Sequence, residues 1–303
     1  LIVLKKHGFN FIYPCDDTML MSYTLSAGLH NHNLDFLAKF YLDHQMIKFK
    51  DIVGTGKKEI SFSKVDIETA KNYACEDADI TLRLWSQLKI NLIQKKLLRV
   101  YENIEKPLIN VIVNMEMNGI KIKEDKLNLL SKSFDSQMHS LQNEIFSITH
   151  KEFNINSPKQ LGEILFNELN LPGGKKNKSG GFTTNSEVLE KLANDEYKIA
   201  SLILEWRGIS KLKSTYTDSL VKSISNTTKR VHTTFQMAGA QTGRLSSTDP
   251  NLQNIPIKTI NGKEIRKSFI PESGFKLVCF DYSQIELRLL AQIADIKPLK
   301  KAF

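Results

Sequence analysis

The chain has 303 residues, of which 41% are hydrophobic and 25% charged, a composition that indicates a globular protein and excludes disordered, collagenous and coiled-coil classes. Lysine and arginine number 42 against 33 acidic residues, and the net charge of +9 favours a polyanionic partner or a basic face. Three widely spaced cysteines predict neither a disulfide framework nor a zinc site and fit a reducing cytoplasm, and no apolar run approaches the roughly 18 residues of a membrane helix.

Residues 1–98 have the pattern of mixed helix and loop. Apolar residues at helical spacing predict a helix from Ile67 to Leu92. Its predicted apolar face consists of Ile67, Ala70, Tyr73, Ala74, Ala78, Leu82, Trp85 and Leu88. A second helix is predicted over 105–117, ended by Asn118-Gly119 and followed by a short strand. We expect a second domain to begin near Arg99.

Residues 154–226 predict a helical hairpin with a basic tip. Ser157 is the predicted N-cap of a helix that runs to about Leu169, and Gln160 would close its capping box. The glycines and lysines of 172–181 predict an exposed loop. Thr184 and Glu187 form a second capping-box pattern, and a longer helix is predicted from about Tyr197 to Ile224.

The last third of the chain changes to strand patterns. Alternating residues over 230–238 predict one strand, and the apolar run 276–281 predicts a second, buried strand. Residues 283–293 predict an amphipathic helix.

Asp281 stands at the end of the predicted buried strand. A carboxylate there points into the cleft at the strand end, the position from which hard cations are held in phosphoryl transfer. The alternative is that Asp281 only precedes a helix capped by Ser283 and Glu286, a pattern that any helix can have.

Residues 242–256, TGRLSSTDPNLQNIP, carry many hydrogen-bonding side chains and little apolar surface. Two prolines disfavour regular structure, so the segment is either an ordered loop with a partner or a linker. Arg244 and Gln253 are of the types that reach phosphate oxygens or minor-groove acceptors.

Two further groups of residues have both a functional and a purely structural interpretation. Arg207, Lys211 and Lys213 fall within two helical turns and suit a phosphate backbone, but solvated helix faces look the same. Tyr73 and Asp77 share a helical face and are suited to positioning a water at a metal, although a surface acidic turn is the commoner explanation.

Four strings together resemble the family A DNA polymerases, the bacterial DNA polymerase I type. TGRLSSTDPNLQNIP and DYSQIELR (281–288) resemble two signatures of its polymerase domain, and RGISKLKSTYTD (207–218) resembles the DNA-contacting helix of its thumb. YACEDADITL (73–82) is similar to the third motif of its 3′–5′ proofreading exonuclease. The likeness covers essentially the whole chain.

The resemblance implies a role for each matched residue. It makes Asp281 a ligand of both catalytic Mg²⁺ ions, places the backbone carbonyl of Tyr282 near them, and makes Glu286 a steric gate against the sugar 2′-hydroxyl. The nucleotide site would be formed by Ser283, Gln284, Ile285 and Glu286. The implied DNA contacts are Arg207, Lys211, Lys213, Arg244, Asn251, Gln253 and Asn254. Asp77 would be a metal ligand of the exonuclease, with Tyr73 orienting its water.

The implied fold is a multidomain α/β and α+β protein. Residues 1–98 would be the C-terminal part of a ribonuclease H-like exonuclease domain, and 99–303 the palm and thumb of a right-hand polymerase without fingers, with 154–226 as thumb and 99–153 and 227–303 as palm.

The implied activity is DNA-templated DNA synthesis in replication and repair by a two-metal mechanism. Primer-template DNA and dNTPs would be the partners of a monomer in the bacterial cytoplasm, associated with the nucleoid and not with a membrane. A non-catalytic duplex-binding protein and a protein that is mainly a 3′–5′ exonuclease are the alternatives.

On this resemblance, the D-x-E carboxylates of the exonuclease would lie upstream of Leu1, and the fingers helix and the H-D-E motif of the polymerase would follow Phe303. We therefore expect a piece of a longer protein that is inactive when isolated.

Overall fold

The structure, a computed structural model, describes residues 1–9, 15–176 and 180–303. The helices are α1 (Ile2–Lys6), α2 (Thr18–Ser26), α3 (Leu34–Leu42), α4 (Phe49–Val53), α5 (Ile67–Gln94), α6 (Leu98–Val100), α7 (Lys106–Asn118), α8 (Glu124–Thr149), α9 (Pro158–Gly162), α10 (Ser186–Asn194), α11 (Lys198–Leu212), α12 (Ser219–Lys222), α13 (Ile260–Arg266), α14 (Ile285–Ile293) and α15 (Lys297–Ala302). Turns of 3₁₀-helix lie at Gly56–Lys58 and Phe62–Lys64, and π-helical turns at Tyr101–Glu105, Glu163–Glu168 and Lys213–Asp218.

The strands are short and antiparallel. They are β1 (Lys121–Ile122), β2 (Thr234–Gln236), β3 (Ser246–Thr248) and β4 (Phe269–Ile270). In the described part of the chain β1 pairs with β4, with Lys121 opposite Ile270, and β2 pairs with β3, with Phe235 opposite Ser247.

Two hydrophobic cores organise these elements. The first lies between α2, α3 and α5 and ends at the fully buried Tyr101. The second joins α8, α9, α10 and α11 and reaches the strand region at Val231 and Ile255. This helix-rich arrangement with two cores agrees with the predicted multidomain α/β and α+β class.

The predicted helix over 67–92 is confirmed as α5, but the predicted face is partly wrong. The buried row is Ile80, Leu84, Leu88 and Leu92, at four-residue spacing. Ile67 and Leu82, expected on the apolar face, are 79% and 63% exposed. A 28-residue helix carries two apolar rows, and only the row that meets α2 and α3 is buried.

One of the two predicted helix caps is confirmed. The hydroxyl of Ser157 accepts from the backbone N–H of Gln160. The Gln160 side chain does not complete a capping box with Ser157, because it accepts from the backbone N–H of Asn154 at 2.7 Å. The Thr184–Glu187 box is wrong, because Asn185 caps α10 by accepting from Val188 N at 3.1 Å.

The predicted long helix over 197–224 is confirmed in position. It is formed by α11, a π-helical turn and α12, and it packs on α8 and α10. Of the predicted basic loop, residues 177–179 lie outside the described residues. The strand predicted over 230–238 is present only as β2.

The strand predicted over 276–281 is wrong. These residues are irregular and exposed, and Phe280 is 91% accessible. A buried strand needs hydrogen-bonding neighbours for its backbone, and neither described sheet includes this segment. Among the described residues, no helix has both the length and the apolar character that crossing a bilayer requires.

Candidate functional site

Asp281 lies on the exposed, irregular segment that leads into α14. The chain turns at Gln284, whose φ of 53° is left-handed, and the helix begins at Ile285. Tyr282 is 82% exposed beside it. The carboxylate of Asp281 is thus presented to solvent at the start of an amphipathic helix, which suits a group that meets a ligand rather than the core.

The capping-box interpretation of Ser283 and Glu286 is wrong in the structure. Gln284 occupies the N-cap position, and no side chain caps α14. Glu286 Oε1 instead accepts a hydrogen bond from Arg244 Nη2 at 2.9 Å, and both side chains are largely exposed. Two segments 42 residues apart therefore meet at one surface, which sequence spacing does not reveal.

The segment 242–256 is ordered, so the linker interpretation is wrong. It contains β3, and Asn251 Oδ1 accepts from the backbone N–H groups of Gln253 and Asn254 at 2.9 and 3.2 Å. The hydroxyl of Ser247, fully buried, accepts from Leu252 N at 3.0 Å. The Gln253 and Asn254 side chains are exposed on the resulting turn.

Tyr216 connects this turn to the helical hairpin. Its side chain is 5% exposed, and its hydroxyl donates to the backbone carbonyl of Asn254. Burial raises the pKa of Tyr216, so the hydroxyl stays protonated and remains a donor. No sequence pattern indicates this contact, because it depends on tertiary packing.

The three basic residues of the hairpin differ in availability. Arg207 Nη1 donates to Thr184 O at 2.6 Å, and burial lowers the pKa of its guanidinium. Lys213 Nζ lies 2.8 Å from Asp218 and 3.5 Å from Asp135, and its hydrogen bond to Asp218 raises its pKa. Lys211 is exposed. Of these three side chains, only Lys211 has no described internal partner, and it is therefore available to contact a phosphate.

Tyr73 and Asp77 come together as their spacing predicts. The Tyr73 ring lies 6.0 Å from Phe49 and 6.2 Å from Phe62, centroid to centroid. Burial and then the charge and hydrogen bond of Asp77 raise the pKa of Tyr73. Asp35 and Glu76 act on it in the same direction, and Glu76 is fixed by His44 Nε2 at 2.8 Å.

The described residues do not assemble a metal centre. Nowhere in the ranges 1–9, 15–176 and 180–303 do three or more histidine, cysteine, aspartate or glutamate side chains group to hold an ion. Asp281 and Asp77 each supply carboxylate oxygens, the ligand type that Mg²⁺ prefers. Neither belongs to a group of three or more such side chains in the described ranges, so neither forms by itself the ligand set that a two-ion site requires.

Comparisons with known proteins divide the chain into two regions. Residues 124–303 match the model of DNA polymerase family A, and residues 1–93 match that of a 3′–5′ exonuclease. The DNA polymerase I of Rhizobium leguminosarum is 47% identical over 302 residues, covering 100% of this chain and 30% of the relative. That of Pseudomonas aeruginosa is 45% identical over 289 residues, covering 95% of this chain and 32% of the relative.

A solved structure agrees with these matches. It is described as the POL domain of Pol1 from M. smegmatis in complex with DNA primer-template and dNTP, and it is 33% identical with a TM-score of 0.74. The match covers 91% of this chain and 45% of that chain. The chain spans about a third of the length of the two curated relatives.

Proposed function

The chain belongs to DNA polymerase family A, and from this premise we propose that it takes part in DNA-templated DNA synthesis, transferring a nucleotide from a dNTP to a primer 3′-hydroxyl. The observation that carries the proposal is the contact between Arg244 and Glu286 at 2.9 Å. Through this contact the two segments that resemble polymerase signatures meet at one exposed surface, and Asp281 lies five residues before Glu286 in the sequence.

The family suggests the use of a divalent metal. The described residues alone do not fit a pair of Mg²⁺ ions, because Asp281 has no neighbouring carboxylate cluster. We propose that Asp281 and the carbonyl of Tyr282 are this chain's contribution to the two-ion site. Further ligands would come from outside the 303 residues, in a polymerase of the length of its relatives.

We propose primer-template DNA and dNTPs as partners of a monomer acting at the bacterial nucleoid. Lys211, Arg244, Gln253 and Asn254 are exposed and suited to the DNA. Arg207, Asn251 and Lys213 each bind another group of this chain. To contact DNA, each would have to leave that partner or bind both groups at once. Ser283, Gln284, Ile285 and Glu286 would border the nucleotide, with 154–226 as thumb and 99–153 and 227–303 as palm.

A 3′–5′ exonuclease is the second candidate function, supported by the match over residues 1–93 and by the placement of Tyr73 near Asp77, which raises the pKa of Tyr73. We propose Asp77 as a metal ligand and Tyr73 as the group that orients the attacking water. A purely non-catalytic DNA-binding protein is not favoured, because the matched relatives are polymerases. Residues 1–98 would form the exonuclease part.

The test is single-nucleotide incorporation by the full-length polymerase. Asp281→Ala should lower kcat on the order of 10³-fold while the Kd for primer-template changes only a few-fold, because a metal ligand serves the transition state more than ground-state binding. Asp295→Asn is the matched control, an exposed carboxylate paired with Lys300 at 2.9 Å. Substantial incorporation by Asp281→Ala would remove Asp281 from this role.

A further inference from the structure

The loop 237–241, the first part of the link between β2 and β3, packs on the core of the first region of the chain. Met237 and Ala238 lie against the cluster formed by α2, α3 and α5, although they are more than 130 residues away from α5 in sequence. The loop thus lies within the sequence range of the polymerase match, but its side chains pack against helices of the exonuclease match.

Two polar contacts fix the same loop. The Tyr23 hydroxyl donates to the carbonyl of Ala240 at 2.7 Å, and Gln241 Nε2 donates to the carbonyl of Gly28 at 3.3 Å. Tyr23 is itself held rigidly: it is 4% exposed, and its ring stands edge-on to His32 at 5.7 Å. A buried donor with a fixed ring constrains its acceptor more strictly than an exposed flexible one.

Gly28 permits the close approach of the two regions. Its φ is +74°, and a Cβ at this position would lie 2.4 Å from Cγ of Gln241. A larger residue would therefore strain its own backbone and displace the Gln241 side chain.

The loop continues directly into the candidate polymerase site. Gly243 turns the chain with a φ of +79°, and Arg244 follows with its 2.9 Å contact to Glu286. Arg244 is exposed and its guanidinium contacts Glu286, so the backbone before it and Glu286 both help to set its position.

We propose that the exonuclease region positions Arg244 for DNA synthesis through the loop 237–241, with Tyr23 and Gly28 as positioning residues for the polymerase reaction. The proposal rests on the proposed function. It assigns the exonuclease region a role that does not use Tyr73 or Asp77.

The first test is steady-state incorporation by the full-length polymerase, with Tyr23→Phe as the main variant and Gly28→Ala as the second. Loss of one constraining hydrogen bond should lower kcat/KM about 2- to 10-fold. Tyr41→Phe is the matched control, since Tyr41 belongs to the same core and its hydroxyl makes no hydrogen bond to residues 237–241, all of which are described. In an Arg244→Ala background, Tyr23→Phe should cause no further loss, because both changes act through one group.

Hydrogen exchange distinguishes positioning from general destabilisation. In Tyr23→Phe the backbone amides of 237–244 should exchange faster while those of α8 and α11 are unchanged. Unchanged kcat/KM, additive losses with Arg244→Ala, or faster exchange throughout the protein would each overturn the proposal. An inactive wild type would refute the proposed function instead, and the exchange measurement would still decide whether Tyr23 holds the loop.

Discussion

Glu286 is the residue for which sequence and structure lead to different expectations. A capping residue contributes to helix stability, but α14 has no side-chain cap, and Glu286 contacts Arg244 at a largely exposed surface. An exposed ion pair contributes little to stability. Whatever Glu286 does, the structure therefore locates its effect at the surface shared with Arg244 and not in the folding of the helix.

We accordingly expect Glu286→Ala to leave the melting temperature nearly unchanged. If Glu286 is the proposed steric gate, the same change should lower discrimination between dNTPs and rNTPs by about tenfold or more, because it removes side-chain volume from the nucleotide site. Glu286→Gln keeps that volume and should retain most of the discrimination. The measurement is the ratio of kcat/KM for the two sugars. Glu187→Ala, an exposed residue in the first turn of α10, serves as control. Unchanged discrimination in Glu286→Ala would exclude the gate.

At the scale of elements, Asp16 links α5 of the exonuclease match with α7, which lies between the two matched regions. Its carboxylate accepts from Lys106 of α7 at 2.6 Å, from Trp85 of α5 at 2.5 Å and from Tyr101 at 3.2 Å. Burial alone raises the pKa of Asp16, but the hydrogen bonds from Lys106 and Trp85 outweigh it and hold the pKa below its ordinary value. The same contact raises the pKa of Lys106.

The sign of the pH dependence follows from these directions. Because the folded-state pKa of Asp16 is depressed, its stabilisation is present above the ordinary carboxylate pKa near 4 and is lost as the pH falls through the lower folded value. Asp16→Asn should reduce the free energy of unfolding by about 1–2 kcal/mol at pH 7, and by less at pH 3.5. Urea unfolding at both pH values measures this. Asp79→Asn, an exposed carboxylate 3.5 Å from Arg83, is the control, and an equal loss at both pH values would contradict the assignment.

Local patterns predicted local structure well. The helix at 67–94, the Ser157 cap and the helix end at Gly119, whose φ is +57°, follow from spacing and from single-residue chemistry. The second cap lies one residue later than predicted, at Asn185, and the Thr184 hydroxyl instead accepts from Arg207 Nη2 at 3.5 Å, 23 residues away. The strand at 276–281 failed for a similar reason, since strand formation depends on a partner edge that lies elsewhere in sequence.

The candidate site was predictable in part. The Tyr73–Asp77 contact follows from a four-residue helical spacing, and the resemblance singled out Arg244 and Glu286. That these two side chains touch, and that Tyr216 holds Asn254, depends on tertiary contacts over 42 and 38 residues. No periodicity carries that information.

For the whole molecule, the salt dependence of DNA binding is the most direct test of which basic side chains contact the phosphates. Arg207 and Lys213 are held by internal partners, so they are less available for contacts with phosphate than Lys211 is. If about two to four contacts remain, the slope of log affinity against log salt for the 303-residue chain should be about −2 to −3.5. Lys211→Ala should make the slope shallower by about 0.9, and Lys213→Ala should not. The reverse order would show that the thumb contacts rearrange on binding.

The same 303-residue chain should neither extend nor trim a primer in Mg²⁺. Its described residues offer no group of three or more metal-ligating side chains, so the chain cannot hold two Mg²⁺ ions at either the polymerase or the exonuclease site. A gel assay with a labelled primer-template measures both reactions, and the inactive Asp281→Ala and Asp77→Ala variants give the background. Extension or 3′-trimming above that background would show that fewer ligands suffice than we infer.

The shared first core also bears on how this protein can change over evolutionary time. Leu98, Ile109 and Met237 pack against the helices of the exonuclease match, so a lineage that discarded residues 1–93 would inherit bare apolar surface on its polymerase. Such surface promotes aggregation. Residues 1–93 could therefore be lost only after substitutions at these positions. An exonuclease region that had lost its catalytic activity would still be retained, because it covers this apolar surface of the polymerase region.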